Sequence, residues 1–239
     1  MGGRTAEEIR HELKLKANQD KADFLPQFFQ AFSGGYGEGD KFLGVTVPEQ
    51  RKVARAFYKE IQPGDLESLL RDPFHECRLT ALLIMVLKYE KAKTKAEKET
   101  LVESYLSSIN YVNNWDLVDS SAPKLLGPHL ENRERNIIYD LARSNRLWYQ
   151  RIAVLTTYHF IRHGDFDDTL KLSVLLLNHE HDLIHKAVGW MLREVGKRDF
   201  QVEYNFLKRH YKHMPRTMLR YAIEKFDPEL RKKFLIGDI

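Results

Sequence analysis

Trp115 and Asp119 stand four residues apart in the stretch Asn113-Asn114-Trp115-Asp116-Leu117-Val118-Asp119. On a helix they share a face, while Leu117 and Val118 turn to the other side. An indole then lies beside a carboxylate. Asn113 or Asn114 can cap the helix start, which puts Asp116 and Asp119 near its positive end and favours their ionised forms. One ionised carboxylate beside an electron-rich ring is suited to stabilising positive charge that develops on a bound molecule. The same residues also make an ordinary capped helix with a half-core Trp and solvated acids, so the choice rests on what the remaining chain sets around them.

Other groups with chemical potential are few. The single Cys77 excludes an internal disulfide and a thiolate metal cage, and its place in the apolar run after Pro73 makes it a packed small hydrophobe. His159/His163 and His181/His185 are each spaced four apart, as a zinc pair on a helix would be. The sequence sets no third ligand beside either pair and contains no His-Glu-x-x-His, so no metal is expected. His179-Glu180-His181-Asp182 reads as a polar turn and helix start. The glycines of Ser33-Gly34-Gly35-Tyr36-Gly37-Glu38-Gly39-Asp40 meet neither dinucleotide nor P-loop spacing, and residues 33–40 read as a flexible loop.

The elements that must carry these residues are helices throughout. Apolar periodicity marks helices at about 6–16 and 22–32, then from Pro48, Pro63 and Pro73, each proline suiting a first turn. Further helices run at about 95–106, from Trp115, and at about 133–142, 148–161, 167–177, 181–196, 201–210, 215–226 and 228–235; no convincing strand occurs. Arg78-Leu-Thr-Ala81, Arg151-Ile-Ala153, Lys186-Ala187 and Arg220-Tyr-Ala222 repeat a base just before a small residue, at separations of roughly 34–37 residues once divided. Small residues let a neighbouring helix approach, and bases at one phase would align along one face. The expected fold is therefore all-α, a HEAT-like helical repeat superhelix (α-solenoid) with a basic concave groove, in one domain over 1–239. The alternative is an irregular bundle with its bases at the helix edges. Trp115 with Asp119, Trp148 with Arg151, and Trp190 with Arg193 would then fall in phase. Gly189, unfavourable inside a helix by about 1 kcal/mol relative to Ala, implies a close approach there by a partner helix or a nucleic-acid backbone.

With 239 residues and a net charge of +4, the composition is that of a globular protein, and no apolar run is long enough to cross a bilayer. The start, Met-Gly-Gly-Arg-Thr-Ala, lacks the apolar core of a signal peptide, and Ala6 stands where a myristoylation motif wants Ser or Thr. A cytoplasmic protein without membrane partners is expected, a monomer by default. Its bases cluster at Arg51-Lys52-Arg55, Lys186 to Arg198, and Lys208 to Arg220, which would form an electrostatic track if they shared a face.

Four spaced motifs then carry a resemblance: Phe42-Leu-Gly-Val-Thr-Val-Pro-Glu-Gln-Arg51, Trp115-Asp-Leu-Val-Asp119, Trp148-Tyr-Gln-Arg151 and Lys186-Ala-Val-Gly-Trp190-Met-Leu-Arg193-Glu. Together, from about residue 10 to the C-terminus, they resemble the bacterial DNA alkylation repair family, the AlkD-like alkylpurine DNA glycosylases. The resemblance implies a HEAT-like superhelix that holds duplex DNA and excises N3- and N7-alkylated purines without metal or organic cofactor, in the bacterial cytoplasm at the nucleoid. It implies that Asp119 is the catalytic carboxylate, that Trp115 and Trp190 pack against the lesion's deoxyribose, and that Arg151 completes the pocket. Members of the family can act with the base still stacked. Arg51, Lys52, Trp148, Lys186, Arg193, Arg216 and Arg220 are the candidate DNA contacts, the charged ones to phosphate. Arg151 has two available roles, a phosphate contact or a charge-assisted hydrogen bond to Asp119.

The chain departs from the family pattern at Thr46, where some members carry Gln, and in the second helix, where Phe28 or Phe29 stands in place of an expected Tyr. These departures bear on lesion choice and grip. A catalytically inactive HEAT-like scaffold for DNA or protein is the competing function, since fold alone does not fix activity. A binding module has no reason to keep a carboxylate between indoles, and all four of Asp119, Trp115, Trp190 and Arg151 are present.

Overall fold

The local signals at the helix starts are used in the folded chain, seen here in a computed structural model that describes residues 5–239. Helix α1 (Ala6–Leu15) opens on a capping box in which Thr5 and Glu8 satisfy each other's backbone amides. Asn18 caps α2 (Gln19–Phe28), and prolines sit in the first turns of α3 (Val47–Phe57) and α4 (Pro63–Leu70). α5 (His75–Lys91) is buried on nearly every side between Cys77 and Val86, as its apolar sequence requires. A second capping box, Thr94 with Glu97, opens α6 (Lys95–Ser107), and α7 (Trp115–His129) follows. Then come α8 (Asn136–Arg143), α9 (Leu147–Arg162), α10 (Asp167–Leu175) and α11 (Asp182–Gly196). α12 (Phe200–His210), α13 (Arg216–Ala222) and α14 (Pro228–Ile236) complete the order. Among the described residues the extended pairing is confined to one isolated bridge, Lys41 with Phe74.

Packing follows the order of the chain. α5 packs against α3, α4 and α6, and α1 lies against α3, α4 and α5. Further on, α9 packs against α8, α10 and α11, and α11 against α12 and α13. Contacts with the next helix and the next but one are the pattern of a HEAT-like, all-α repeat. The chain divides into two compact units, Met1–Ser121 and Ala122–Ile239, with the boundary inside α7. The first is built on α5, the second on α9 and α11. No helix among the described residues is long and apolar enough to cross a membrane. Met1–Arg4, on which the expectation about targeting partly rests, lies outside the described residues.

Residues 33–40 are not the unconstrained loop expected from their glycines. Gly35, Gly37, Glu38 and Asp40 donate their amides to the carbonyls of Phe32, Gln30, Gly35 and Gly37, at 2.9–3.1 Å. Gly37 is buried, and a Cβ there would lie 3.0 Å from the side chain of Asn114 and closer still to the carbonyl of Phe29. The stretch is a chain of turns that delivers Asp40 to the interior.

Candidate active site at the start of helix α7

The indole of Trp115 is held by α2. Its ring centroid lies 5.3 Å from that of Phe29, stacked at 29°, and 5.9 Å from that of Phe28, edge-on at 68°. Phe29 is buried and also stacks on Phe42 at 5.4 Å. Both lie against the imidazole of His75, at 4.7 and 5.3 Å. Offset and edge-to-face pairs of this kind contribute about 0.5–1.5 kcal/mol each beyond burial, so the indole is fixed in orientation as well as place. Phe28, the last residue of α2, and Phe29, its C-cap, are the two aromatics that touch the indole.

The backbone under Trp115 is fixed by a polar chain that the sequence does not announce. Nε2 of His75 lies 2.8 Å from Oδ2 of Asp116, and its Nδ1 lies 2.9 Å from Oδ2 of Asp40. Only an imidazolium donates from both ring nitrogens. Burial opposes that charge, but the charge and hydrogen bond of Asp116 and the hydrogen bond of Asp40 outweigh it and raise His75 to about 9. Asp40 is held below its ordinary range: burial works against it, while His75 and Arg78 win. Arg78 donates to Oδ1 of Asp40 at 2.6 Å and to the carbonyl of Asp72 at 2.8 Å. Asp116 uses its other oxygen on the amide of Leu117, and Asn114 accepts from the amide of Trp115, both at 2.8 Å. Asp119 follows one turn after Trp115 on the same helix face, half-buried, near the helix end that favours negative charge.

Arg78 was expected to line a basic face with the other repeat bases. It is buried and committed to Asp40, so its charge is internal. The signal for this network was a polar set, His75, Glu76 and Arg78, inside an otherwise apolar helix. Glu76 is spent in the same way, accepting the amides of Leu43, Gly44 and Val45 at 2.8–3.3 Å. That clamp explains the Phe42-Leu-Gly-Val motif: Gly44 has φ of +77°, and a Cβ there would lie 2.8 Å from the amide of Ala22.

In the second unit, Arg151 lies in α9, 5 % exposed, and donates to the carbonyl of Leu183 at 2.7 Å. Trp148 is half-buried in the first turn of that helix. Trp190 lies 6.2 Å from the ring of Tyr158 and donates to Glu194 at 3.2 Å. The close approach at Gly189 is by a helix: a Cβ would sit 2.6 Å from Cβ of Tyr221 on α13, and closer to the carbonyl of Met218. The nucleic-acid explanation of that glycine is therefore withdrawn.

Several candidate phosphate contacts have partners within the chain. Arg193 pairs with Glu224, Lys52 with Glu49, and Lys186 with Asp182 at 2.7 Å, while Arg216 donates to the carbonyl of Leu235 at 2.6 Å. Arg51 and Arg220 are exposed. Cys77 is buried and its thiol is pushed up, first by burial and then by the charge of Asp72, which leaves no thiolate nucleophile. His181 caps α11 as its position suggested, accepting the amide of Leu183 at 3.1 Å.

Residues 9–226 match the family model described as DNA alkylation repair enzyme. A solved structure described as a predicted DNA alkylation repair enzyme from Enterococcus faecalis superposes with a TM-score of 0.69 over 89 % of this chain and 98 % of that one. At 15 % identity the likeness is one of fold. Comparison with the curated proteins gave no match.

Proposed function

Because the chain belongs to the DNA alkylation repair enzyme family, whose substrate is DNA, we propose that it is a monofunctional DNA glycosylase acting on N3- and N7-alkylated purines in duplex DNA. Such a base already carries positive charge and leaves readily, so its departure needs little or no general acid. The C1′–N bond breaks with its electron pair going to the base, and the sugar becomes oxocarbenium-like. Asp119 supplies the negative charge that this cation requires, and Trp115 and Trp190 supply indole faces. Water then adds at C1′ and loses its proton, with Asp119 available to orient it. Arg151 steadies the arrangement through a phosphate or through Asp119. The single carboxylate separates this chemistry from the two-carboxylate pattern of most glycosidases.

The supporting observation is the rigid start of α7. An indole packed against Phe28 and Phe29, and a backbone tied through Asp116 to an internal imidazolium, support a preorganised role for the carboxylate one turn on. The test is base release from a duplex containing one N7-methylguanine, in EDTA, with hot alkali to reveal abasic sites. Wild type should release the base. Asp119→Asn should be slower by about 10²–10³-fold while still binding duplex, the usual scale for removing one preorganised charge-stabilising group. Equal release by the two proteins would reject Asp119. No release by either, with binding intact, would leave a DNA scaffold, and loss of binding as well would point to a protein partner.

A further inference from the structure

The histidine pair His159 and His163 has a third group beside it that sequence spacing does not reveal. The two lie one turn apart on α9, and Glu131 lies just beyond the end of α7. Oε1 of Glu131 is 3.6 Å from Nε2 of His159 and 3.7 Å from Nε2 of His163. The three candidate ligand atoms all lie within 4.8 Å of one another. Two ligands of a tetrahedral zinc ion with bonds of 2.0–2.1 Å stand about 3.3 Å apart, so a small contraction would close the set.

The surroundings suit a metal better than a simple ion pair. Nδ1 of His163 donates to the carbonyl of His159 at 2.8 Å, which fixes the tautomer and leaves the Nε2 lone pair facing Glu131. Nε2 of His159 is shielded from solvent yet makes no hydrogen bond. The backbones that carry the ligands are also packed closely. A Cβ on Gly127 would lie 2.5 Å from Cβ of His159 and 3.1 Å from the carbonyl of Thr156. His163 and Glu131 are open to solvent, with 54 % and 41 % of their side chains exposed, which gives an ion a route in and water a place on it.

The other histidine cluster lacks these features. His179 uses one nitrogen on Gln150 and the other on the amide of His181, His181 caps α11, and His185 bonds the carbonyl of His179. We propose that Glu131, His159 and His163 bind one zinc-class divalent ion, with water completing a tetrahedral set, and that the ion staples the end of α7 to α9. Two imidazoles and one carboxylate select zinc and its borderline neighbours over calcium or magnesium, which take oxygen ligands. Each imidazole must offer an Nε2 lone pair and Glu131 its carboxylate for the ion to bind.

The experiment uses the full chain, stripped with EDTA and desalted, then titrated with Zn²⁺ by calorimetry and with Co²⁺ by visible absorption. Wild type should take up one ion per chain and give the absorption of a tetrahedral cobalt site. At a hundredfold excess over Kd its Tm should rise by about 5–10 °C. Glu131→Gln and His163→Gln change exposed side chains, so both should keep the metal-free Tm while losing at least tenfold in affinity and most of the Tm rise. His213→Gln and Asp119→Asn should bind the ion as wild type does, which separates this site from the proposed reaction. No uptake by wild type, or equal uptake by Glu131→Gln and His163→Gln, would overturn the proposal.

Discussion

A neutral His75 cannot donate to Asp40 and Asp116 together, so the start of α7 is held by a proton as much as by packing. Since the folded value is raised from 6.5 to about 9, the stabilisation is fully present below the unfolded value and is lost as pH rises through about 9. Wild-type Tm should therefore decline between about pH 6.5 and 9.5, with roughly 3 kcal/mol as the upper scale of the contribution. His75→Gln should lower Tm at neutral pH and flatten that decline, measured by thermal melts across the range. A mutant with the wild-type slope would show that another group titrates. Asp40 acts at the other end: its lowered value gives stability above the ordinary aspartate range that is lost as pH falls. Trp115 and Asp119 were legible because helical spacing alone puts them on one face. His75 and Asp40 were not, because the partners of His75 lie 35 and 41 residues away and only the fold brings them together.

At the scale of elements, helix starts were legible at several prolines, while the second helix, expected at about 22–32, is capped by Asn18 and runs Gln19–Phe28. α4 begins at Pro63 and α14 at Pro228, as the prolines indicated, and α6 begins at Lys95, where periodicity put it. α8 starts at Asn136 and not near Arg133. Arg135 is drawn out of the periodic pattern by Asp165 and Asp168, at 2.7 and 2.6 Å, with its guanidinium 3.7 Å above the ring of Phe160. Gly189 gives a sharper test, because intrinsic propensity and packing predict opposite signs. Ala is favoured over Gly inside a helix by about 1 kcal/mol. The Cβ of Gly189→Ala would nevertheless enter the space of Met218 and Tyr221, and overpacking of that kind costs about 1–3 kcal/mol. Urea unfolding should show the variant less stable than wild type, and a gain in stability would mean that α11 and α13 are not in close contact.

For the whole molecule, the repeat was legible in the recurring base-plus-small skeleton, and the fate of each base was not. Arg78 turned inward, Arg193 and Lys52 found acidic partners, and Arg51 and Arg220 remained exposed. Arg51→Ala and Arg220→Ala should each weaken binding to any duplex and reduce the slope of log K against log salt by about 1, with Tm unchanged. An unaltered slope in filter-binding or anisotropy titrations would remove that residue from the DNA surface. The long sequence separations around His75 also bear on the order in which the first unit assembles. Loops must close to bring residues 40, 75 and 116 together, and their entropy is lost before the buried charges gain each other. Those closures lead us to expect that the network forms after the folding barrier, which folding and unfolding rates of His75→Gln measured against denaturant would test. Breaking it should chiefly accelerate unfolding while leaving the folding rate nearly unchanged, the behaviour of a latch on an already folded unit; an equal slowing of folding would instead put His75 in the nucleus.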